Sequence, residues 1–194
     1  IRLKEIEQLA MDLALDPKVI HLANVDPPFT DREYYQIHEV LTDVKRYSLN
    51  QFVTDYFLHF PKSELLITRR SMYELASDYG VFFRYGELDY GQWLERFAFD
   101  GCLYRYFGAA NIMYGGLHEG MITYQRAIMP GYTREAKGSV LITFPEAEIR
   151  KMFEHLMLEE GGWAYILDDR GEVVFSDAPA GLRLPTPGTA LSRF

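Results

Sequence analysis

The spacing of apolar residues changes near residue 50, and this change limits the possible folds more than any other feature of the chain. In the first third, an amphipathic helix is indicated by apolar residues three to four positions apart, Leu3, Ile6, Leu9 and Leu13. Asp16-Pro17 interrupts this helix, because proline disfavours helical geometry in the residue before it. Thr30 followed by Glu33 is a capping-box pattern that begins a further helical stretch. We therefore predict a long N-terminal helix, broken once, that forms a stalk over residues 1–49.

Beyond residue 50 the chain is rich in β-branched and aromatic residues, which favour strands. Residues 52–60 and 65–68 are separated by Pro61-Lys62-Ser63 and are predicted to form a pair of strands. A short hairpin is predicted at 163–176, because its turn contains Asp168 and Gly171. Further strands are predicted at 102–107, 121–129 and 138–144.

Helical signals recur within this strand-rich part. Ser71 with Glu74 repeats the capping-box pattern and predicts a helix through Tyr79. Residues 146–158 place apolar side chains on one face and predict an amphipathic helix. Residues 81–99 are aromatic and interrupted by glycine, and we expect them to form a loop. The chain is therefore assigned to the α+β class.

The charge of the chain argues against nucleic acid as a partner. It has 194 residues, with 20 basic and 28 acidic side chains and a net charge of −8. Adjacent basic residues occur only as isolated pairs, such as Arg69-Arg70, whereas binding to phosphate backbones needs clustered cations. The sequence has neither a signal peptide nor the run of about 18 apolar residues that a membrane-spanning helix needs. We expect the chain to be a segment of a longer, membrane-anchored protein.

No set of residues in the sequence forms a recognisable catalytic or metal-binding motif. His38-Glu39 begins a zinc-protease pattern, but Thr42 stands where the second histidine is required. A phosphate-binding loop and a G-x-S-x-G elbow are also absent from the sequence. Cys102 is the only cysteine, and a buried structural thiol is its simpler interpretation. We therefore predict that the chain is not an enzyme and holds neither a metal nor a cofactor.

Aromatic and arginine residues are concentrated between residues 73 and 106. Aromatic walls with a few cationic and hydroxyl groups are typical of a pocket for a small polar ligand. The same rings would equally serve to fill the core between a helix and a sheet, and the sequence leaves both interpretations open. The candidate ligand-binding residues are Tyr73, Arg84, Trp93, Tyr104, Tyr106 and Tyr124.

The order of these elements resembles the extracytoplasmic double Cache (dCache) domains of Gram-positive bacteria. These are PAS-like modules of membrane-bound AraC-type transcription regulators and sensor histidine kinases. The most specific piece is the aromatic-Ile-Leu-Asp-x-x-Gly-x-Val pattern that runs from Tyr165 to Val173, and the resemblance covers nearly the whole chain. It implies a PAS-like antiparallel sheet flanked by helices. The membrane-distal module would span 50–145, and a linking helix with a partial membrane-proximal module would span 146–194.

The resemblance also implies a function. The chain would lie on the extracytoplasmic face of a bacterial membrane, anchored by transmembrane helices of the parent protein. It would bind a small molecule, a carbohydrate or an organic acid, in the distal module near Trp93, and relay a conformational signal. The amino-acid-binding subset of these domains carries a Tyr-x4-Arg-x-Trp-Tyr pattern, which Tyr90, Trp93 and Arg96 do not match.

An interaction module is the alternative hypothesis. The N-terminal apolar stripe would then pair two copies of the chain into a homodimer, or the fold would receive a solute-binding partner protein. A hydrolase is disfavoured, because neither a nucleophile with its base nor a metal set is found in the sequence.

Overall fold

Long strands of β-branched and aromatic residues form the centre of the structure. The computed structural model describes residues 2–27, 29–44, 52–99, 101–130, 135–157, 164–168 and 170–178. The helices are α1 Arg2–Leu15, α2 Pro17–Leu22, α3 Asp31–Val44, α4 Leu75–Asp78, α5 Tyr90–Phe97 and α6 Glu146–Met157. The strands are β1 Asp55–Phe60, β2 Leu65–Thr68, β3 Met72–Glu74, β4 Phe83–Tyr85, β5 Tyr104–Tyr114, β6 Leu117–Ile128, β7 Gly138–Pro145, β8 Tyr165–Leu167 and β9 Val173–Ser176.

Seven strands form one antiparallel sheet in the order β3-β2-β1-β7-β6-β5-β4. All six residues of β1 are buried, because this strand lies inside the sheet and both faces of the sheet are covered. Successive side chains of a strand point to opposite faces. Tyr56 and Leu58 therefore belong to one hydrophobic cluster and Phe57 belongs to the other. The predicted α+β class is confirmed, with helices and an antiparallel sheet in one structure.

The first face of the sheet is covered by α1, α6 and the β8–β9 hairpin. Helix α1 packs on β6 and β7, and Ile6, Ala10 and Leu13 are fully buried there. The apolar stripe that would pair two copies of the chain is therefore packed largely against the chain's own sheet. Hydrophobic burial of this kind contributes about 1.5–3 kcal/mol for each large side chain, which holds α1 on the sheet.

The N-terminal region consists of three helices rather than one long helix. The break at Asp16-Pro17 is confirmed: the Asp16 carboxylate accepts hydrogen bonds from the N–H groups of Lys18 (2.8 Å) and Val19 (3.4 Å) and so caps α2. Contacts of α2 with both α1 and α3 bring the three helices together. The predicted extension of the helix to residue 49 lies outside the described residues.

The second face of the sheet is covered mainly by α5. Asp89 and Gln92 form a capping box at the start of this helix, where we had predicted a loop. The other end is tied to the sheet, because Gln125 donates a hydrogen bond to the carbonyl of Phe97 (2.7 Å) and Arg105 donates one to the carbonyl of Ala98 (2.6 Å). These bonds satisfy carbonyls that have no partner within the helix.

Two further predictions of local structure need correction. The Ser71–Glu74 capping box is wrong, because Met72–Glu74 forms β3 and pairs with β2. The Thr68 hydroxyl donates to the carbonyl of Ser71 and closes the tight turn between the two strands. Strands β5 and β6 are also longer than predicted, and His118 is a β6 residue stacked on Tyr114.

The predicted hairpin is confirmed as β8 and β9. Gly171 in its turn has a φ of 81°, a left-handed value that glycine adopts without strain. Val174 and Phe175 are buried in the same cluster as α1, and the ring of Phe153 on α6 stacks on Phe175 with centroids 5.9 Å apart. The described hairpin therefore packs on the first face of the main sheet. The first hairpin residues that we predicted, at 163, and the tail from 179 lie outside the described residues.

Gly138 is required where β7 passes close to the backbone of β1. A methyl group added there would lie 2.8 Å from the carbonyl oxygen of His59. We expect Gly138→Ala to lower the free energy of unfolding by about 1–3 kcal/mol, because the clash involves backbone that cannot move freely. Gly91→Ala on α5 is the matched control, since the added methyl makes only an ordinary contact. Chemical denaturation measures both, and equal stabilities of the two variants would contradict the prediction.

Candidate functional site

The structure divides the six candidate residues between the two faces of the sheet. Tyr104, Tyr106 and Tyr124 lie together on the first face, because Tyr106 is the register partner of Tyr124 in neighbouring strands. The ring of Tyr124 stacks on Tyr104 (centroids 6.1 Å apart) and packs at a tilt against Tyr106 (4.8 Å). Trp93 and Tyr73 pack in the hydrophobic cluster of the second face. Arg84 is exposed on β4, between the buried Phe83 and Tyr85.

A cavity of about 250 Å³ opens on the first face beside two of these tyrosines. Tyr104 and Tyr106 line it from β5. Helix α1 contributes Leu3 and Glu7, and α6 contributes Ile149. The hairpin closes the opposite side with Ile166, Leu167, Asp168 and Val174. The cavity thus lies at the junction of four elements that are far apart in the sequence, which is why sequence reasoning missed its walls from α1, α6 and the hairpin.

The polar groups of the cavity are phenols and carboxylates. The Tyr106 hydroxyl donates a hydrogen bond to Oε1 of Glu7 at 3.3 Å, which links β5 to α1. Burial, and then the nearby Glu7 carboxylate, raise the pKa of Tyr106, so this phenol is a neutral donor. The Asp168 carboxylate accepts the N–H groups of Arg170 (2.9 Å) and Glu172 (2.8 Å), which orders the hairpin turn at the edge of the cavity.

The second face is filled by interlocking rings around Trp93. The indole of Trp93 is fully buried and lies within 6 Å of four other rings, those of His59, Phe97, Phe83 and Tyr79. Nearby, the hydroxyls of Tyr85 and Thr123 are 3.0 Å apart, and burial raises the pKa of Tyr85 to about 12. The two interpretations of the aromatic segment therefore apply to different residues. Trp93 is part of the packed core, whereas Tyr104 and Tyr106 line the first-face cavity.

Within the described ranges, no group of three or more histidine, cysteine, aspartate or glutamate side chains is arranged to hold a metal ion. Among the helices that the structure describes, none is both long enough and apolar enough to span a membrane.

Comparison with known proteins gives no family assignment. No protein-family model, curated protein or solved structure matches the chain. The cavity and the residues that line it are therefore the features of the structure that bear on function.

Proposed function

We propose that this chain is a non-catalytic sensor domain that binds a small molecule in the first-face cavity. The observation that carries the proposal is the position of the cavity, which is lined at once by α1, the main sheet, α6 and the β8–β9 hairpin. A ligand there contacts the first helix of the chain and its last described strands together. A site built between elements is suited to report occupancy as a change in their arrangement.

The route of the signal follows from the contacts around the cavity. Glu7 and Leu3 lie on α1, and Tyr106 bridges from the sheet to Glu7. A ligand that replaces or reinforces this bridge favours one position of α1 over another. Such differential binding is the only way a ligand shifts a conformational equilibrium, and couplings of about 1–3 kcal/mol are typical.

The lining groups favour a ligand that donates hydrogen bonds. Glu7 and Asp168 supply carboxylates and Tyr104 and Tyr106 supply phenols, while no lysine or arginine is found among the described residues of the cavity wall. A carboxylate ligand would meet like charge without a compensating cation. Of the two ligand classes expected from the sequence, a carbohydrate or another hydroxyl-rich molecule fits better than an organic acid.

The wider assignment rests on the resemblance to dCache domains. An antiparallel sheet with helices on both faces is the architecture that this resemblance implies, and the hairpin at Tyr165–Ser176 carries its most specific motif. We extend the proposal accordingly to an extracytoplasmic input domain of a membrane-anchored transcription regulator or sensor kinase, with the parent's transmembrane helices as its anchor.

The binding proposal is tested by thermal shift against mono- and oligosaccharides and, in parallel, organic acids. A ligand present at 100 times its Kd is expected to raise the Tm by roughly 5–10 °C for a chain of this size. Tyr106→Phe and Glu7→Gln are each expected to weaken binding about tenfold, because each removes a polar group of the cavity wall. Tyr35→Phe on α3, at a side chain 65 % exposed, is the control and should leave binding unchanged.

Two results would contradict this proposal. Tm shifts caused only by organic acids would show that the ligand class is wrong. Shifts that survive both Tyr106→Phe and Glu7→Gln would show that the ligand binds outside the first-face cavity.

A further inference from the structure

Two polar residues sit side by side within the core of the sheet. His59 on β1 and Ser139 on β7 are register partners, so their side chains are neighbours on the same face. That face is the second one, because the imidazole of His59 lies 4.5 Å, centroid to centroid, from the indole of Trp93 on α5. His59 and Ser139 are 2 % and 1 % exposed. The pair is therefore on the opposite side of the sheet from the cavity of the proposed function.

Three polar atoms at this place have no hydrogen-bond partner among the residues that the structure describes. They are Nε2 of His59, Oγ of Ser139 and Nε1 of Trp93. Most buried polar groups in proteins are satisfied, and each one left without a partner costs about 1–3 kcal/mol. Three such atoms on adjoining residues indicate that the site is built to contact something other than this chain.

A cavity adjoins the pair. It has a volume of about 350 Å³ and is lined by His59 and Ser139 on the sheet side. Its remaining walls are mainly apolar and include Leu94 and Phe97 of α5 and the following Phe99. Within the described part of the chain, no charged side chain lines this cavity. Burial lowers the pKa of His59 to about 3, so the imidazole is neutral near pH 7 and offers one donor and one acceptor.

These features define the chemistry of the occupant. Apolar walls accept an apolar body, while a neutral imidazole beside a hydroxyl matches a single hydroxyl or amide group. An anion or a cation would be desolvated there without a partner of opposite charge. We propose that His59 and Ser139 form a second binding site, distinct from the first-face cavity, for a small neutral molecule with an apolar ring and one hydroxyl or amide group.

Phenol and benzene are the probes that test this site, since they share a ring and differ by one hydroxyl, and phenol is uncharged at pH 7. Binding is followed by NMR on the intact chain through the ring nitrogens of His59 and, in every variant including His59→Phe, through the indole N–H of the neighbouring Trp93. We expect phenol to shift the His59 and Trp93 resonances of the parent chain and to bind at least tenfold more tightly than benzene. Ser139→Ala and His59→Phe are each expected to weaken phenol binding at least tenfold.

The variants and their control separate binding from folding. Ser139→Ala and His59→Phe each remove a polar atom that lacks a partner, so we expect both variants to remain folded with a Tm no lower than that of the parent chain. Ser77→Ala, at an exposed serine of α4, is the matched control and should bind phenol as the parent does.

Three outcomes would overturn the second site. Equal binding of phenol and benzene would identify an apolar cavity without polar recognition. Phenol binding that persists in both variants would place the probe elsewhere. Absence of binding, together with long-lived water detected beside His59, would identify a hydration site, which is the usual way that proteins satisfy such groups. None of these outcomes bears on the first-face cavity, because the sheet separates the two.

Discussion

Replacing Trp93 with alanine is expected to lower the free energy of unfolding by about 3–5 kcal/mol, the range for large aromatic residues in cores. Trp93 is fully buried, and its indole packs between α5 and the second face of the sheet. Phe97, Phe83 and Tyr79 all contact it through their rings. The neighbouring rings cannot collapse into the space of an indole without breaking these contacts, so a cavity remains.

Chemical denaturation with an unchanged m-value is the measurement for this variant. Phe82→Ala removes an aromatic side chain that is 58 % exposed, in the same part of the chain, and serves as the control. We expect it to change stability by less than about 0.5 kcal/mol. A loss below about 1 kcal/mol for Trp93→Ala would mean that the indole is not part of the packed core.

The stability of the chain is expected to fall as the pH drops from about 6.5 towards 3, and His59 is the cause. The pKa of this imidazole is lowered from 6.5 to about 3 because it is buried away from solvent. Between pH 6.5 and about 3, the imidazole of His59 is protonated in the unfolded chain but stays neutral in the folded chain. The contribution of His59 is therefore fully present above pH 6.5 and is lost at about 1.4 kcal/mol for each pH unit below it.

The variant His59→Phe isolates this effect from other titrating groups. Burial raises the pKa of Asp55, so Asp55 acts in the opposite direction and favours the folded chain as the pH falls. A hydrogen bond from the N–H of Thr30 lowers the pKa of Glu33, so Glu33 loses stabilisation on acidification. Both groups remain in the variant. Denaturant titrations at pH 7, 6, 5 and 4 measure the free energy of unfolding of the parent chain and of the variant. The difference between the two free energies should grow steadily as the pH falls, and a difference that stays constant would contradict the assignment.

Local sequence patterns predicted most of the element types. The Asp16-Pro17 break, the strands at β1, β2 and β7, and helix α6 follow from signals within a few residues, and the structure confirms them. The wrong predictions of secondary structure occur where a local sequence signal competes with the pairing of strands. Ser71 and Glu74 have capping-box spacing, but the edge of β2 offers Met72–Glu74 a ladder of hydrogen bonds, and the strand forms instead. Helix α5 was missed because aromatic and glycine residues obscured a short apolar stripe.

The candidate site was only partly predictable. Tyr104 and Tyr106 could be named from the sequence as pocket residues, and they do line a cavity. Trp93 was named for the same reason and is instead buried in the core. The local sequence around an aromatic residue in a strand or helix does not indicate whether its ring faces a cavity or packs against another ring. For His59 a weak signal of an unusual site was present in the sequence. A histidine within the apolar run Phe57-Leu58-His59-Phe60 is unusual for a strand buried on both faces.

The sequence by itself determined the class of this protein, the type of most elements and the β8–β9 hairpin, because these depend on periodicity, caps and turns within short segments. Only the tertiary structure decided which side chains share a face, that α1 folds onto the sheet, and that Glu7 meets Tyr106 across 99 positions of sequence. The physical reason is that a strand sends alternate residues to opposite sides, so the surroundings of each residue come from whichever remote elements pack there.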